Sequence, residues 1–193
     1  MSAWPLKPDL IASYAYMKNV FTPEECKLII DIGLKKELIN ATVNATNQQY
    51  KPDLRKNKIS WVEAEDGLEF MYRKLTDVTL ALNAEFFGFD LYGITEKIQF
   101  SVYEHIGDGF KLHFDKTYGS VIRKLSLVVQ LSDPSEYRGC ELKVYTGSIP
   151  EVVSKDQGTV IAFPGYVMHE VTPLISGKRY TLVAWLGGPN FKW

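Results

Sequence analysis

From Glu96 onward the chain is built of short runs that alternate or cluster as strands do, with no helical stretch between them. Lys97–Tyr103 alternates as a half-buried strand does. Leu125–Leu131, Glu141–Tyr145, Thr159–Phe163 and Arg179–Leu186 follow as further strand-like runs. Breaks fall at Gly107 and Gly109, Asp133-Pro134, Gly147, Pro150, Gly158, Pro164-Gly165 and Gly177. Strands so closely spaced predict an antiparallel sandwich or jelly roll.

The first 95 residues have the opposite texture. Thr22-Pro23-Glu24-Glu25 offers a capping residue, a proline suited to the first helical turn and a glutamate that completes a capping box. Cys26, Ile29, Ile30 and Ile32 then give an apolar stripe to about Glu37. A second helix is predicted from Asp66 to Phe87, with Leu68, Met71, Leu75, Val78, Leu82 and Phe86 on one face. Both helices are expected to buttress one sheet from outside. Between them Asn40–Lys58 is polar and reads as a loop or short edge structure, either a flap over a site or plain surface.

With 193 residues, 46% of them apolar, the chain suits one domain: a helix-rich support over 1–95 and a jelly-roll core over 96–190. A net charge of -1 argues against a general electrostatic grip on nucleic acid. Cys26 and Cys140 lie in no CxxC or Cys/His cluster, so they read as buried thiols rather than a zinc site or a disulfide framework. The opening MSAWPLKPDL has no basic stretch followed by an apolar one, and no apolar run approaches membrane-spanning length. A soluble, cytoplasmic protein is expected; nothing in the pattern sets an oligomeric state.

The chain has only three histidines, His105, His113 and His169. In His113-Phe114-Asp115 the first and third side chains share one side of an extended backbone, with Phe114 turned away. His169 lies 56 residues later, after Pro164-Gly165. Two imidazoles and a carboxylate on one face would form the facial triad of non-haem iron(II) oxygenases. A His-x-Asp pair alone is equally compatible with ordinary hydrogen-bonded residues. Arg179, ten residues after His169, opens the apolar run Tyr180–Leu186. It is either a surface arginine at a strand start or a cation facing the interior, which would need an anionic partner. His105, Asp108 and Lys111 read as loop residues, the last two as solvated charges.

A longer pattern joins these residues. Gln99–Tyr103 is followed by Gly107–Asp115, Arg123–Pro134, Tyr137–Leu142, Gly158–Pro164, His169-Glu170-Val171 and Gly177–Tyr180. Over roughly Ile98 to Pro189 the chain resembles the prolyl-4-hydroxylase-like branch of the 2-oxoglutarate/iron(II) dioxygenases, including the bacterial and phage PKHD-type hydroxylases. The resemblance implies a double-stranded β-helix, a jelly roll, with supporting N-terminal helices. It implies iron at His113, Asp115 and His169, and the distal carboxylate of 2-oxoglutarate at Arg179. Tyr103 would line the co-substrate pocket, and Trp185 would shape the substrate site near the iron. Dioxygen would be the second co-substrate, with ascorbate as reductant.

The reaction so implied is hydroxylation of an unactivated C–H bond, with a prolyl residue of a protein or peptide as the expected target. A lysyl residue, a free amino acid or a nucleobase are the alternative substrates, and a non-catalytic jelly-roll binding module is the alternative class. Trp185 stands where nucleic-acid demethylases of the superfamily usually carry a second arginine, which argues against the nucleobase. Two departures from the pattern matter. Cys140 replaces a usual glycine, which is tolerable unless that position needs positive φ, and Phe110 replaces a tyrosine of collagen-type enzymes. Trp61, Tyr118, Tyr145 and Tyr166 are candidates to line a peptide groove.

Overall fold

Thr22 caps the first helix, Pro23–Lys35, as the sequence predicts. Its hydroxyl accepts from the Glu25 amide, and the Glu25 carboxylate accepts from the Thr22 amide. The structure, a computed structural model, describes residues 11–43, 49–117 and 122–191. The second long helix ends at Phe87 as its apolar stripe suggests, but only its middle is α-helical. A single 3-10 turn, Ala64–Asp66, precedes the α-helix Glu69–Leu82, and a π-helical turn, Asn83–Phe87, closes it. Gly88 stops the helix at φ 64, with its amide on the Asn83 carbonyl.

Both helices cover one face of an antiparallel eight-stranded sheet. Its main path runs Ala15–Met17, Val160–Pro164, Ile122–Gln130, Arg179–Gly188, Ile98–Tyr103, Lys58–Val62 and Ile39–Asn40, and Gly93–Ile94 pairs beside Arg179–Gly188. Opposite lies a five-stranded antiparallel sheet, ordered Glu151–Val152, Leu142–Tyr145, Met168–Val171, Gly109–His113 and Arg55–Lys56. A small ribbon pairs Leu174–Gly177 with Tyr137–Gly139. This is the jelly-roll arrangement expected from the strand texture, with the helices outside the larger sheet. The helix-rich first half also supplies strands. Lys58–Val62 pairs with Ile98–Tyr103, and Arg55–Lys56 pairs with Gly109–His113.

The larger sheet sorts its side chains by the period-two rule. Toward the helices, Ile98, Phe100, Val102, Leu125, Leu127, Val129, Leu182, Ala184 and Leu186 join Ile29, Met71 and Leu75 in one buried cluster. Phe100 lies against Gly33 of the first helix, where an added Cβ would stand 2.5 Å from the phenyl ring. The helix approaches this closely because residue 33 has no side chain. Ser60 locks the contact by donating to the Gly33 carbonyl at 2.9 Å.

Two expectations are corrected. Asp108 is no solvated charge: it is 2% exposed and its carboxylate accepts the amides of Glu104 and His105 at 3.0 and 2.9 Å. It ties down the turn that enters the Gly109–His113 strand. Lys111 is exposed, as expected. Cys140 does occupy a positive-φ position, at φ 49 next to Gly139 at φ 78. Its side chain therefore sits in backbone that favours glycine, at a strain of about 1–2 kcal/mol. Both cysteines are buried and unpaired, and burial pushes each thiol up to about 11. No helix among the described residues is long and apolar enough to cross a membrane. Within the polar Asn40–Lys58 stretch, residues 44–48 lie outside the described residues; the rest holds a Val43–Gln49 bridge and the short edge strand Arg55–Lys56.

Candidate metal and co-substrate site

The other face of the larger sheet mixes polar side chains with a smaller apolar cluster. Gln99, Tyr103, Thr181, Arg179 and Trp185 point from it into a cavity of about 960 Å³ between the two sheets. The smaller sheet supplies the opposite wall. There His113 and His169 are direct cross-strand partners, so strand register sets the two imidazoles side by side, with ring centres 4.1 Å apart.

Asp115 follows just beyond the end of its strand. The amides of Asp115 and Lys116 donate to the Gly165 carbonyl at 2.9 and 2.7 Å. Gly165 can do this only as glycine, since a Cβ there would stand 2.4 Å from the Arg123 carbonyl oxygen. The Pro164-Gly165 turn therefore holds the acid in place. One ligand atom from each of His113, Asp115 and His169 lies within 4.8 Å of the others. Each histidine Nε2 approaches a different oxygen of Asp115, at 3.8 Å from His113 and 3.6 Å from His169.

The remaining ring nitrogens are already committed. His113 Nδ1 lies 2.7 Å from the Lys111 carbonyl and His169 Nδ1 lies 2.9 Å from the Val167 carbonyl. A carbonyl can only accept, so each Nδ1 carries a proton and each Nε2 is the nitrogen turned to the centre. Burial, with the neighbouring His169, pushes the His113 imidazole down to about 3, which keeps it neutral. Burial alone would raise Asp115, but His169, His113 and the Ser126 hydroxyl at 2.7 Å outweigh it and hold the carboxylate ionised. The Trp185 indole N–H adds to that pull without reaching hydrogen-bond geometry. The result is two imidazoles and one carboxylate converging on a point, the donor set suited to a divalent first-row metal.

Arg179 is not a surface residue. It is 1% exposed and pairs in register with Tyr103 across adjacent strands, its guanidinium carbon 5.4 Å from the Tyr103 ring centre. Nη2 donates to Gln130 at 2.9 Å, and Gln130 is itself fixed by donating to the Ser154 carbonyl at 3.0 Å. Nε and Nη1 have no hydrogen-bond partner among the described residues. A buried guanidinium with two unmet donors is costly unless an anion meets them. Tyr103 is buried too, and burial raises its phenol. Trp185 lines the cavity under Arg123, whose guanidinium stacks 3.8 Å from the ring and grips Glu96 with two contacts of 2.5 Å.

Every candidate site residue of the sequence thus borders this cavity: His113, Asp115, His169, Arg179, Tyr103 and Trp185. Of the groove candidates, Trp61 lines it; Tyr145 instead donates to Glu170, Tyr166 packs near Phe191, and Tyr118 lies outside the described residues. His105 is exposed and outside the lining. Sequence reasoning missed Arg55. Its three kinds of N–H reach Asn57, the Thr42 carbonyl and Gln99, and it stands 4.7 Å above Phe110. Phe110 in turn stacks on His113 with centres 3.4 Å apart. Only the pairing of Arg55 with Phe110 brings it there, and no local spacing announces it.

No family model matches the chain. In sequence it is similar to a PKHD-type hydroxylase of Prochlorococcus marinus, 36% identical over 81 residues, and to one of Hyphomonas neptunium, 34% identical over 85. Each match covers 42% of this chain, and only 37% and 38% of those relatives' own length. In structure it resembles a Pseudomonas putida prolyl-4-hydroxylase, with TM-score 0.73, 18% identity, and 92% of this chain and 94% of that one covered. A Trichoplax adhaerens prolyl hydroxylase in complex with a hypoxia inducible factor peptide fragment gives TM-score 0.77, 15% identity and 91% and 84% coverage. A viral collagen prolyl hydroxylase from Paramecium Bursaria Chlorella virus-1, in its 2OG complex, gives 0.70, 20% identity and 92% and 97% coverage. The fold is therefore that of the prolyl hydroxylases of the 2OG-Fe(II) oxygenase family. In sequence, the similarity is to PKHD-type hydroxylases.

Proposed function

We propose that this protein is an iron(II)- and 2-oxoglutarate-dependent oxygenase that hydroxylates a C–H bond of a protein or peptide, with a prolyl residue as the target. The observation that carries the reading is the pairing of two incomplete sites in one cavity. One is the convergent His113, Asp115 and His169 set. The other is the buried Arg179 with its unmet donors. A metal would complete the first and a dicarboxylate the second.

Iron(II) fits the donor set, and His113, Asp115 and His169 would hold it; when bound with 2-oxoglutarate it supplies the oxygen activation that the hydroxylation needs. The protein's own part is positional. Arg179, set by Gln130, meets the far carboxylate of the co-substrate with charge-assisted hydrogen bonds. Tyr103 walls the same end of the pocket, and Trp185 closes the side toward the substrate, braced by Arg123. The Lys111 and Val167 carbonyls hold the imidazole tautomers. Apolar walls such as Val128 and Val183 help exclude water from the reacting centre. No side chain is required to act as a general base.

The peptide substrate is supported by the neighbours, one of which is a prolyl hydroxylase with a peptide fragment bound. The test is succinate release from 2-oxoglutarate with iron(II) and oxygen, together with mass spectrometry of proline-containing peptides. Iron-dependent succinate and a mass gain of about one oxygen on proline are expected. A mass gain on lysine only, or on free amino acids only, would replace the prolyl target. Absence of succinate with iron bound would remove the oxygenase reading.

A further inference from the structure

The cavity has a charge that its metal and co-substrate do not use. Over the whole chain the acids and bases nearly cancel, 23 against 22. Among the described residues that line the cavity, Lys51, Arg55, Lys111, Lys116, Arg123 and Arg179 stand against only Glu96 and Asp115. Part of this excess is consumed by the site. Arg123 is neutralised by its two-pronged contact with Glu96. A divalent metal and a dicarboxylate cancel each other, and Asp115, which acts on Arg55, offsets one further cation of the lining. Lys116 is engaged with the Phe191 ring at 5.7 Å.

Of the lining cations, Lys51, Arg55 and Lys111 share one wall. Arg55 pairs with Phe110 across the edge of the smaller sheet, and the Lys111 amide donates to the Leu54 carbonyl at 2.8 Å. Arg55 is held by three neutral acceptors and by no carboxylate. Lys51 and Lys111 are exposed. Asp53, the nearest acid along the chain, is exposed and outside the lining. Among these cations sit Leu54, Leu112 and Phe114, 44%, 46% and 46% exposed, an apolar set at the cavity mouth.

We propose that the substrate is an acidic peptide segment. Its carboxylate side chains, close to the target residue, would be met by Lys51, Arg55 and Lys111, and its apolar side chains would lie on Leu54, Leu112 and Phe114. This inference rests on the oxygenase reading above. The same cations could attract phosphates, but the mouth is not built for a nucleic acid. A strand of nucleic acid needs cations spread along a track and aromatic faces for its bases. Here aromatic faces such as Trp61 and Phe114 are present, but the cations gather on one wall rather than along a track, and the chain as a whole is net negative.

The experiment measures binding of labelled, proline-centred peptides to the metal- and 2-oxoglutarate-loaded protein under anaerobic conditions, by fluorescence anisotropy. Three peptides of one length differ only at two flanking positions, occupied by Glu, Gln or Lys. The Glu peptide is expected to bind at least about tenfold tighter than the Gln peptide at low salt, with the advantage shrinking as ionic strength rises. In a Lys51→Glu, Lys111→Glu double variant the order should reverse in favour of the Lys peptide. Both positions are exposed, and a thermal melt verifies that the variant is folded. Equal or undetectable binding of the three peptides overturns the proposal, as does a single-stranded oligonucleotide that displaces the Glu peptide at equal concentration. Calorimetric binding of 2-oxoglutarate to the same preparations separates the two readings. If it binds while the peptides show no charge order, the acidic-peptide inference alone fails; if it does not bind, the oxygenase reading fails first.

Discussion

The two faces of the larger sheet are made by the same strands and could hardly differ more. Along Arg179–Gly188, the even-numbered Tyr180, Leu182, Ala184 and Leu186 join or pack against the apolar cluster beneath the helices. The odd-numbered Arg179, Thr181, Val183 and Trp185 line the cavity. Ile98–Tyr103 repeats the pattern, with Phe100 in the helix-side core and Gln99 and Tyr103 on the cavity side. One face is satisfied within the protein. The other leaves Arg179 Nε and Nη1 and Trp185 Nε1 without hydrogen-bond partners among the described residues. The first face is core throughout, while the second combines a smaller apolar cluster, with Val128, Ile161 and Phe163, and the capacity to bind.

Substitutions on either face should therefore fail in different ways. The largest separation is expected from Asp115→Ala. Turnover should fall by at least about a thousandfold, equivalent to ~4 kcal/mol of barrier, while the melting temperature of the metal-free protein stays near that of wild type; coupled-assay kinetics and calorimetry check the pair. Phe100→Ala should do the reverse. Removing a fully buried ring stacked on Tyr180 should destabilise by about 3–5 kcal/mol, read by urea denaturation, with the metal affinity of the folded fraction retained. Arg179→Leu should weaken 2-oxoglutarate by about 10- to 100-fold, as expected for lost charge-assisted hydrogen bonds. It should leave urea stability unchanged or raised, because it deletes a buried charge with unmet donors. The smallest effect is Thr22→Ala. Losing the helix cap should cost about 1 kcal/mol, visible as a melting shift of roughly 2–4 °C with turnover unaltered.

The two faces also differ in how plainly the sequence announces them. The helix side was legible because it is periodic: the capping box at Thr22–Glu25 and the apolar stripes of both helices predict elements that the structure contains. His113 and Asp115 were legible because they stand two apart on extended chain, and Arg179 because a charge opens an apolar run. What escaped depends on pairings between distant segments. Lys58–Val62 reads as nothing in particular until Ile98–Tyr103 lies beside it. Arg55 reaches the cavity only through the edge pairing with Gly109–His113. Asp108 looks like a loop acid, yet it is buried because two amides of its own turn need an acceptor. The strain at Cys140 is a backbone property, and residue type alone does not report φ.

The most direct test is an anaerobic calorimetric titration of 2-oxoglutarate into the iron(II)-loaded protein, repeated without metal and with Asp115→Ala and Arg179→Leu. One equivalent should bind to the loaded wild type, and binding should be lost without metal and in Asp115→Ala and weakened in Arg179→Leu. Equal 2-oxoglutarate affinity with and without iron, or in both variants, would contradict the proposed oxygenase site.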